Sequence, residues 1–156
     1  MLKYWDCKID NHVIPDEVSL CIEITGCPFR CKGCPTKHLW ENEGKSLSNS
    51  ILEILIGLHK AISAVCFMGG DINPYEINEL AAHVRKTFPN LKIGWYSGEE
   101  TISVFTEYKN FDFIKLGPFK KKRGGLDSIT TNQRFYKVEP NGLLRNMTHQ
   151  FWIRKN

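Results

Sequence analysis

The chain has 156 residues, of which 42% are hydrophobic and 24% are charged, so a buried core is expected and global disorder is not. Its formal net charge of +4 is too small to indicate nucleic-acid binding by itself. It contains neither the roughly 20 consecutive apolar residues that a membrane-spanning helix needs nor the apolar segment of a signal peptide. We therefore expect a single cytoplasmic domain over residues 1–156, with no membrane and no direct nucleic-acid partner.

The first strand is predicted to begin at Val18, after a segment with no clear pattern of apolar residues. Residues 1–17 are expected to be irregular or to form edge structure, because they follow no clear period. Apolar and polar side chains then alternate from Val18 to Thr25, which is the period of a strand, and Gly26 ends the pattern. A loop with C-x3-C-x2-C spacing follows, and its cysteines are Cys27, Cys31 and Cys34.

Two helices are predicted in the middle of the chain. Apolar residues recur at helical spacing over residues 47–62, where Ser50 and Glu53 have the pattern of a capping box. The second helix has clear start signals, because Asn73 is a good N-cap and Pro74 suits the first helical position. Its buried stripe is expected to consist of Ile77, Leu80, Ala81, Val84 and Phe88.

Five further strands are predicted from short apolar or alternating runs. They cover residues 64–68, 91–97, 111–116, 134–139 and 143–151. The last two are joined by the turn Pro140-Asn141-Gly142. A weaker helical pattern covers residues 99–108.

The order of strand, loop and helix predicts parallel strands joined by crossover helices. Each of the first four strands reaches a glycine, at Gly26, Gly69, Gly98 and Gly117. In parallel α/β folds the carboxyl ends of the strands carry the site, so these turns should share one rim with the cysteine loop. Because a full barrel needs about 250 residues, we expect a truncated, open, partial TIM-type barrel of about 4–6 strands, with its core over residues 15–140.

The three clustered thiols indicate a metal site, because thiolates are soft ligands for zinc and iron–sulfur clusters. Three ligands would leave one iron of a four-iron cluster open to a substrate. In the alternative, His38 is the fourth ligand of a closed zinc site, and the protein is a zinc-stapled binding module. Without an export signal disulfides are not expected, and Cys21 and Cys66 lie in apolar runs that predict core positions.

Several motifs together resemble one known family. The C-x3-C-x2-C loop directly after the first strand resembles the signature of radical S-adenosylmethionine enzymes, and Met68-Gly69-Gly70-Asp71 resembles their Gly-Gly-acidic motif. Three further motifs resemble the short glycyl-radical activases, especially those that activate anaerobic ribonucleoside-triphosphate reductases. These are Tyr96-Ser97-Gly98, Leu116-Gly117-Pro118-Phe119 and Thr131-Asn132-Gln133-Arg134.

The resemblance implies a specific site. Cys27, Cys31 and Cys34 would hold a [4Fe–4S] cluster, whose open iron binds the methionine end of S-adenosylmethionine. The ammonium would lie at Gly69, Gly70 and Asp71. Backbone groups of Gly33, Cys34 and Pro35 would contact the adenine, and Ser97 would also contact this cofactor.

The resemblance also implies a reaction and partners. Reductive cleavage of S-adenosylmethionine would give methionine and a 5′-deoxyadenosyl radical, which generates a glycyl radical on the large subunit of an anaerobic ribonucleotide reductase. A low-potential, flavodoxin-like protein would donate the electron. Alternative substrates are another glycyl-radical enzyme or a small molecule. The basic run from Lys120 to Arg123 is a further hypothesis, as a docking surface for the reductase.

Overall fold

The computed structural model describes residues 1–153, which form one open, eight-stranded mixed sheet with helices. In chain order the strands are β1 (Lys3–Asp10), β2 (Ser19–Ile24), β3 (Lys45–Ser46), β4 (Ala64–Met68), β5 (Lys92–Tyr96), β6 (Phe113–Leu116), β7 (Arg134–Val138) and β8 (Leu144–Asn146). The α-helices are α1 (Asn49–Gly57), α2 (Pro74–Thr87) and the short α3 (Gln150–Ile153). Single 3₁₀ turns cover Lys37–Leu39 and Tyr108–Asn110.

The centre of the sheet is parallel and its two sides are antiparallel. Strands β2, β4, β5 and β6 are parallel neighbours, as predicted. Strands β1 and β3 extend one side and β7 and β8 the other, all in antiparallel pairing. The predicted number of about 4–6 strands was therefore too low. Residues 1–17 were predicted only as irregular or edge structure, because just one of the eight residues of β1 is buried and a bulge between Tyr4 and Cys7 interrupts its period.

The two faces of the sheet have different roles. Side chains such as Leu20, Phe67 and Trp95 pack in the main core, which also contains the buried residues of α1 and α2. A smaller cluster on the opposite face includes Cys21 and Cys66, which are buried as predicted. On that face Glu23, Met68, Tyr96 and Lys115 form one row across β2, β4, β5 and β6. Helices α1 and α2 therefore leave this face of the parallel strands available for a site, and only Phe151 of the short α3 packs against its cluster.

Both predicted helices are present, but α1 has a different N-cap from the one predicted. In α2, Asn73 Oδ1 accepts a hydrogen bond from the Glu76 backbone N–H at 3.2 Å, which confirms the N-cap. Of its predicted stripe Phe88 is only partly buried, and Ile77, Leu80, Ala81 and Val84 are buried. The capping box at Ser50 was wrong: Ser48 is the N-cap of α1, since its hydroxyl accepts from the Ile51 backbone N–H at 3.2 Å.

Two other segments differ from their predictions. Residues 99–108 contain no α-helix, because Ser103 instead bonds its neighbours: its hydroxyl accepts from Phe105 N–H and its carbonyl from Thr106 N–H. The last strand ends at Asn146 rather than continuing to residue 151. There the Asn146 side chain accepts hydrogen bonds from the Thr148 N–H and hydroxyl, and the short helix α3 follows. The turn at Pro140-Asn141-Gly142 is confirmed by the Gly142 N–H to Glu139 carbonyl bond of 2.8 Å.

Gly70 is expected to be essential for stability. It has φ of +96°, and an added Cβ would lie 2.4 Å from Cδ1 of Ile77, which is fully buried and would have to shift within the core. Gly70→Ala should therefore lower the free energy of unfolding by about 2–4 kcal/mol, from backbone strain and overpacking together. Urea unfolding measures this. Gly57→Ala is the matched control, because nothing lies within 4 Å of its added Cβ, and an unchanged stability of Gly70→Ala would contradict the argument.

Candidate functional site

A cavity of about 520 Å³ lies on the face opposite α1 and α2 and reaches the carboxyl ends of the parallel strands. Seven of the residues predicted for the site line it: Cys27, Cys31, Cys34, Pro35, Gly69, Asp71 and Ser97. Gly33 and Gly70 are not among its lining residues, and Gly33 instead lies under the side chain of Lys121. Three of the predicted rim glycines, Gly69, Gly98 and Gly117, line the cavity together with the cysteine loop.

Backbone hydrogen bonds anchor the cysteine loop to the segment that follows it. Cys27 N–H donates to the Leu39 carbonyl at 3.0 Å, and within the loop Cys34 N–H donates to the Cys31 carbonyl at 3.0 Å. The tight path requires a positive φ at Arg30 (+45°) and at Gly33 (+78°). The three thiols are thereby brought to one wall of the cavity.

One of the loop sulfurs, that of Cys34, already accepts a hydrogen bond. Cys34 Sγ lies 3.4 Å from the donating Thr36 backbone nitrogen and 3.3 Å from the Thr36 hydroxyl. Burial raises the pKa of the Cys27 thiol, and backbone N–H groups of Phe29 and Arg30 act against this by stabilising the thiolate. Donors of this kind are what a metal-bound thiolate requires.

Asp71 joins two of the rim turns. Its Oδ1 accepts a short hydrogen bond from the Ser97 hydroxyl, and its Oδ2 accepts from the Gly98 backbone N–H at 3.0 Å. Burial raises the pKa of Asp71, while these bonds and the charge of Lys115 lower it in part. Gly98, whose backbone N–H donates to Asp71, lies against the ring of Phe29 in the cysteine loop. The contact is close, since a Cβ added at Gly98 would lie 2.5 Å from that ring.

Lys115 was missed in the sequence, and it is the buried cation of the cavity wall. Its side chain is 8% exposed, and its Nζ donates to the carbonyls of Ser97 at 3.1 Å and Gly117 at 2.9 Å. The ammonium also lies 5.7 Å from the centre of the Tyr96 ring. Burial lowers its pKa to about 8, against the raising effect of Asp71 and the loop cysteines. The available signal was a lysine inside the apolar run 111–116.

The low pKa of Lys115 predicts a pH dependence of stability. Because the folded pKa of about 8 lies below the ordinary 10.5, the unfolded chain binds the proton more tightly between these values. The free energy of unfolding should therefore gain a rising contribution from about pH 8 to 10.5. The measurement is urea unfolding of the wild type and of Lys115→Met across this range, since the variant lacks this contribution but keeps every other titrating group. Parallel pH profiles for the two proteins would contradict the assignment.

Comparisons with known proteins agree with this geometry. A family model described as a 4Fe-4S single cluster domain matches residues 18–127. The anaerobic ribonucleoside-triphosphate reductase-activating protein of Enterobacteria phage T4 is 30% identical over 107 residues, which cover 63% of this chain and 69% of the relative. The chain belongs to this family of iron–sulfur activating proteins. No solved structure matches it.

The family assignment favours the iron–sulfur interpretation over zinc. His38 is not among the cavity-lining residues, and its Nε2 instead lies 3.6 Å from the buried carboxylate of Glu23, which also pairs with Lys8 at 2.8 Å. Across residues 1–153, no group of three or more His, Cys, Asp or Glu side chains converges closely enough to hold a metal ion. This finding covers the three loop cysteines as well, so the preference for an iron–sulfur cluster over a closed zinc site rests on the family model and on the pairing of His38 with Glu23.

The residues present fit the cluster that the family assignment implies. Four cysteines line the cavity, namely the three of the loop and Cys21, which is buried in β2. Thiolates are the usual iron–sulfur ligands, and the Thr36 backbone N–H donates to the sulfur of Cys34. Trp40 also lines the cavity, and its indole nitrogen is buried without a hydrogen-bond partner. A larger depression of about 870 Å³ lies between α1 and α2 and has no cysteine in its wall.

None of the helices over residues 1–153 is long and apolar enough to cross a membrane.

Proposed function

We propose that this protein is an oxidoreductase that reductively cleaves S-adenosylmethionine and activates an anaerobic (class III) ribonucleoside-triphosphate reductase. The observation that carries the proposal is one cavity that brings together the three thiols, the turn at Asp71 and Ser97, and the buried ammonium of Lys115. The phage relative is named for the same activation, which supports the reductase as partner.

In the proposed site the thiols hold the cluster, and other residues of the cavity bind S-adenosylmethionine. Cys27, Cys31 and Cys34 would hold a [4Fe–4S] cluster, which supplies the single electron when bound. Asp71 and Lys115 provide opposite charges, which suit the ammonium and carboxylate of a zwitterionic amino-acid group. Their burial strengthens both interactions, because the surrounding dielectric is low. Pro35, which lines the cavity, and its neighbours Gly33 and Cys34 are proposed to contact the adenine.

The proposed reaction balances in two steps. One electron enters the sulfonium, the bond between sulfur and the 5′ carbon breaks, and methionine and a 5′-deoxyadenosyl radical form. The radical then removes a hydrogen atom from the α-carbon of one glycine of the reductase, which leaves 5′-deoxyadenosine and a glycyl radical. The electron is proposed to come from a low-potential, flavodoxin-like protein.

The open shape of the molecule supports a macromolecular substrate. The sheet does not close, and we propose that its four parallel strands form a partial TIM-type barrel whose free side admits a glycine loop. The basic run from Lys120 to Arg123 lies beside this site, since the Lys121 side chain covers Gly33 and Lys120 Nζ lies 3.7 Å from Glu100. We propose that this run docks the reductase.

Anaerobic reconstitution with iron and sulfide tests the function. The protein should become brown and, with a strong reductant, should release methionine and 5′-deoxyadenosine from S-adenosylmethionine. Adding the reductase should then give the electron paramagnetic resonance signal of a glycyl radical. A reconstituted protein with full iron and sulfide that releases no methionine would overturn the proposal, whereas cleavage without a glycyl radical would overturn only the choice of partner.

A further inference from the structure

Glu23 places a carboxylate in the cavity wall, far from the end that holds Lys115. It lies in β2, where every residue is buried, and its side chain keeps 9% of its surface exposed. In the row across the sheet it is three strands away from Lys115, at about 4.8 Å per strand. The methionine group of S-adenosylmethionine is proposed to lie at Asp71 and Lys115, so this other end of the cavity has no ligand assigned to it.

The protein uses only part of the hydrogen-bonding capacity of Glu23. Lys8 Nζ, from β1, lies 2.8 Å from Oε1, whereas His38 Nε2 lies 3.6 Å from Oε2, beyond the usual length of a hydrogen bond. A carboxylate has about four acceptor positions. These two contacts therefore leave part of its capacity available to a ligand in the cavity.

Lys8 adds a donor on the outer side of the same pair. It lines the cavity and its side chain is 60% exposed, so the pair lies where the cavity opens beside β1. The hydrogen bond to Glu23 raises the pKa of Lys8, which keeps the ammonium charged. An ammonium has three N–H donors, and Glu23 uses one of them. The two side chains thus offer an acceptor and a donor next to each other.

A peptide group is the ligand that matches this pair. It carries one N–H donor and one carbonyl acceptor, whereas a ligand of either net charge would meet a like charge in the pair. A glycine has no side chain to be recognised, so the backbone beside it is what a site can bind. The exposure of Lys8 also favours a polypeptide, because it opens this end of the cavity to the surface of the molecule.

We propose that Glu23 and Lys8 bind a peptide group of the glycine loop that enters the cavity, and thereby hold the glycine α-carbon in place for hydrogen transfer. Glu23 accepts the peptide N–H and Lys8 donates to the peptide carbonyl. Fixing the position of the reacting carbon lowers the barrier, because less freedom is lost during the reaction. The inference rests on the proposed function and adds a binding site for its polypeptide substrate.

Glu23→Gln and Lys8→Met test the proposal in the reconstituted enzyme. The anaerobic reductase is prepared with glycine deuterated at the α-carbon, and mass spectrometry measures the deuterium that reaches 5′-deoxyadenosine. At subsaturating reductase both variants should transfer about ten-fold less deuterium than the wild type, through a higher KM. This loss should exceed any loss in S-adenosylmethionine affinity or in methionine release. Lys8→Arg should keep most of the transfer, because it restores a charged donor.

Glu139→Gln is the matched control, because Glu139 makes an equally short ion pair with Arg145, at 2.8 Å, and does not line the cavity. Wild-type transfer and KM in both Glu23→Gln and Lys8→Met would overturn the proposal, as would an equal loss in Glu139→Gln. A loss of S-adenosylmethionine affinity in Glu23→Gln, with the wild-type KM for the reductase, would overturn it in favour of a contact with the nucleoside.

Two further outcomes are distinguishable from these. If Glu23→Gln does not fold, Lys8→Met and Lys8→Arg decide the test, since the Lys8 side chain is 60% exposed. A wild type that releases no methionine would contradict the proposed function and this inference with it. Failure of this inference alone would leave methionine release and glycyl-radical formation by the wild type intact.

Discussion

Replacing any one of Cys27, Cys31 and Cys34 by alanine is expected to abolish the cleavage of S-adenosylmethionine. Each change removes one of the three thiols of the cysteine loop, and the fourth cysteine that lines the cavity, Cys21, is buried in β2. Residues that merely orient a metal ligand contribute about 10- to 100-fold, so loss of a ligand should lower activity by more than about a hundred-fold. Iron content, visible absorbance and methionine release under a strong reductant measure the effect.

The control for this series is Cys7→Ala. Cys7 is a half-buried free thiol in β1 and does not line the cavity, so its removal should leave iron content and cleavage unchanged. Substantial cleavage by any one of the three loop variants would exclude the cluster assignment. Equal losses in Cys7→Ala would mean that the assay responds to general damage to the fold.

Asp71→Ala should weaken S-adenosylmethionine binding by about 10- to 100-fold while leaving iron content nearly unchanged. The carboxylate lines the cavity, and its hydrogen bonds go to Ser97 and Gly98 rather than to a cysteine. Its removal leaves a backbone N–H and a hydroxyl without their charged acceptor, so we also expect a loss of about 2–3 kcal/mol in the free energy of unfolding. Equilibrium binding, iron analysis and urea unfolding separate these effects.

Asp112→Ala provides a matched control for Asp71. Its carboxylate likewise accepts from a backbone N–H, that of Ile93 at 2.8 Å, and from Arg85 at 2.8 Å, but it does not line the cavity. It should lose stability without losing affinity for S-adenosylmethionine. If Asp71→Ala kept full affinity for S-adenosylmethionine, the role of Asp71 would be limited to stabilising the Ser97 turn.

The parallel core could be predicted from sequence because its signals are local. The alternation over residues 18–25, the apolar run at 64–68 and the cap at Asn73 each report a preference of the nearby backbone, and all three elements are present. Strand β1 could not be predicted in this way. It is stabilised by pairing with β2, whose partners lie 9 to 20 residues further along the chain, and only one of its own eight residues is buried.

Among the residues that line the cavity, those in a motif were predicted from the sequence and those outside one were not. The cysteine spacing and Gly69-Gly70-Asp71 are short patterns that can be read from the chain, and the sequence by itself therefore indicated an iron–sulfur cofactor, which the family model supports. Only the tertiary structure showed that Asp71 holds the Ser97 turn, that Lys115 is a buried cation and that the Trp40 donor has no partner. Burial and the absence of an acceptor depend on atoms brought together from distant strands, and no local pattern encodes them.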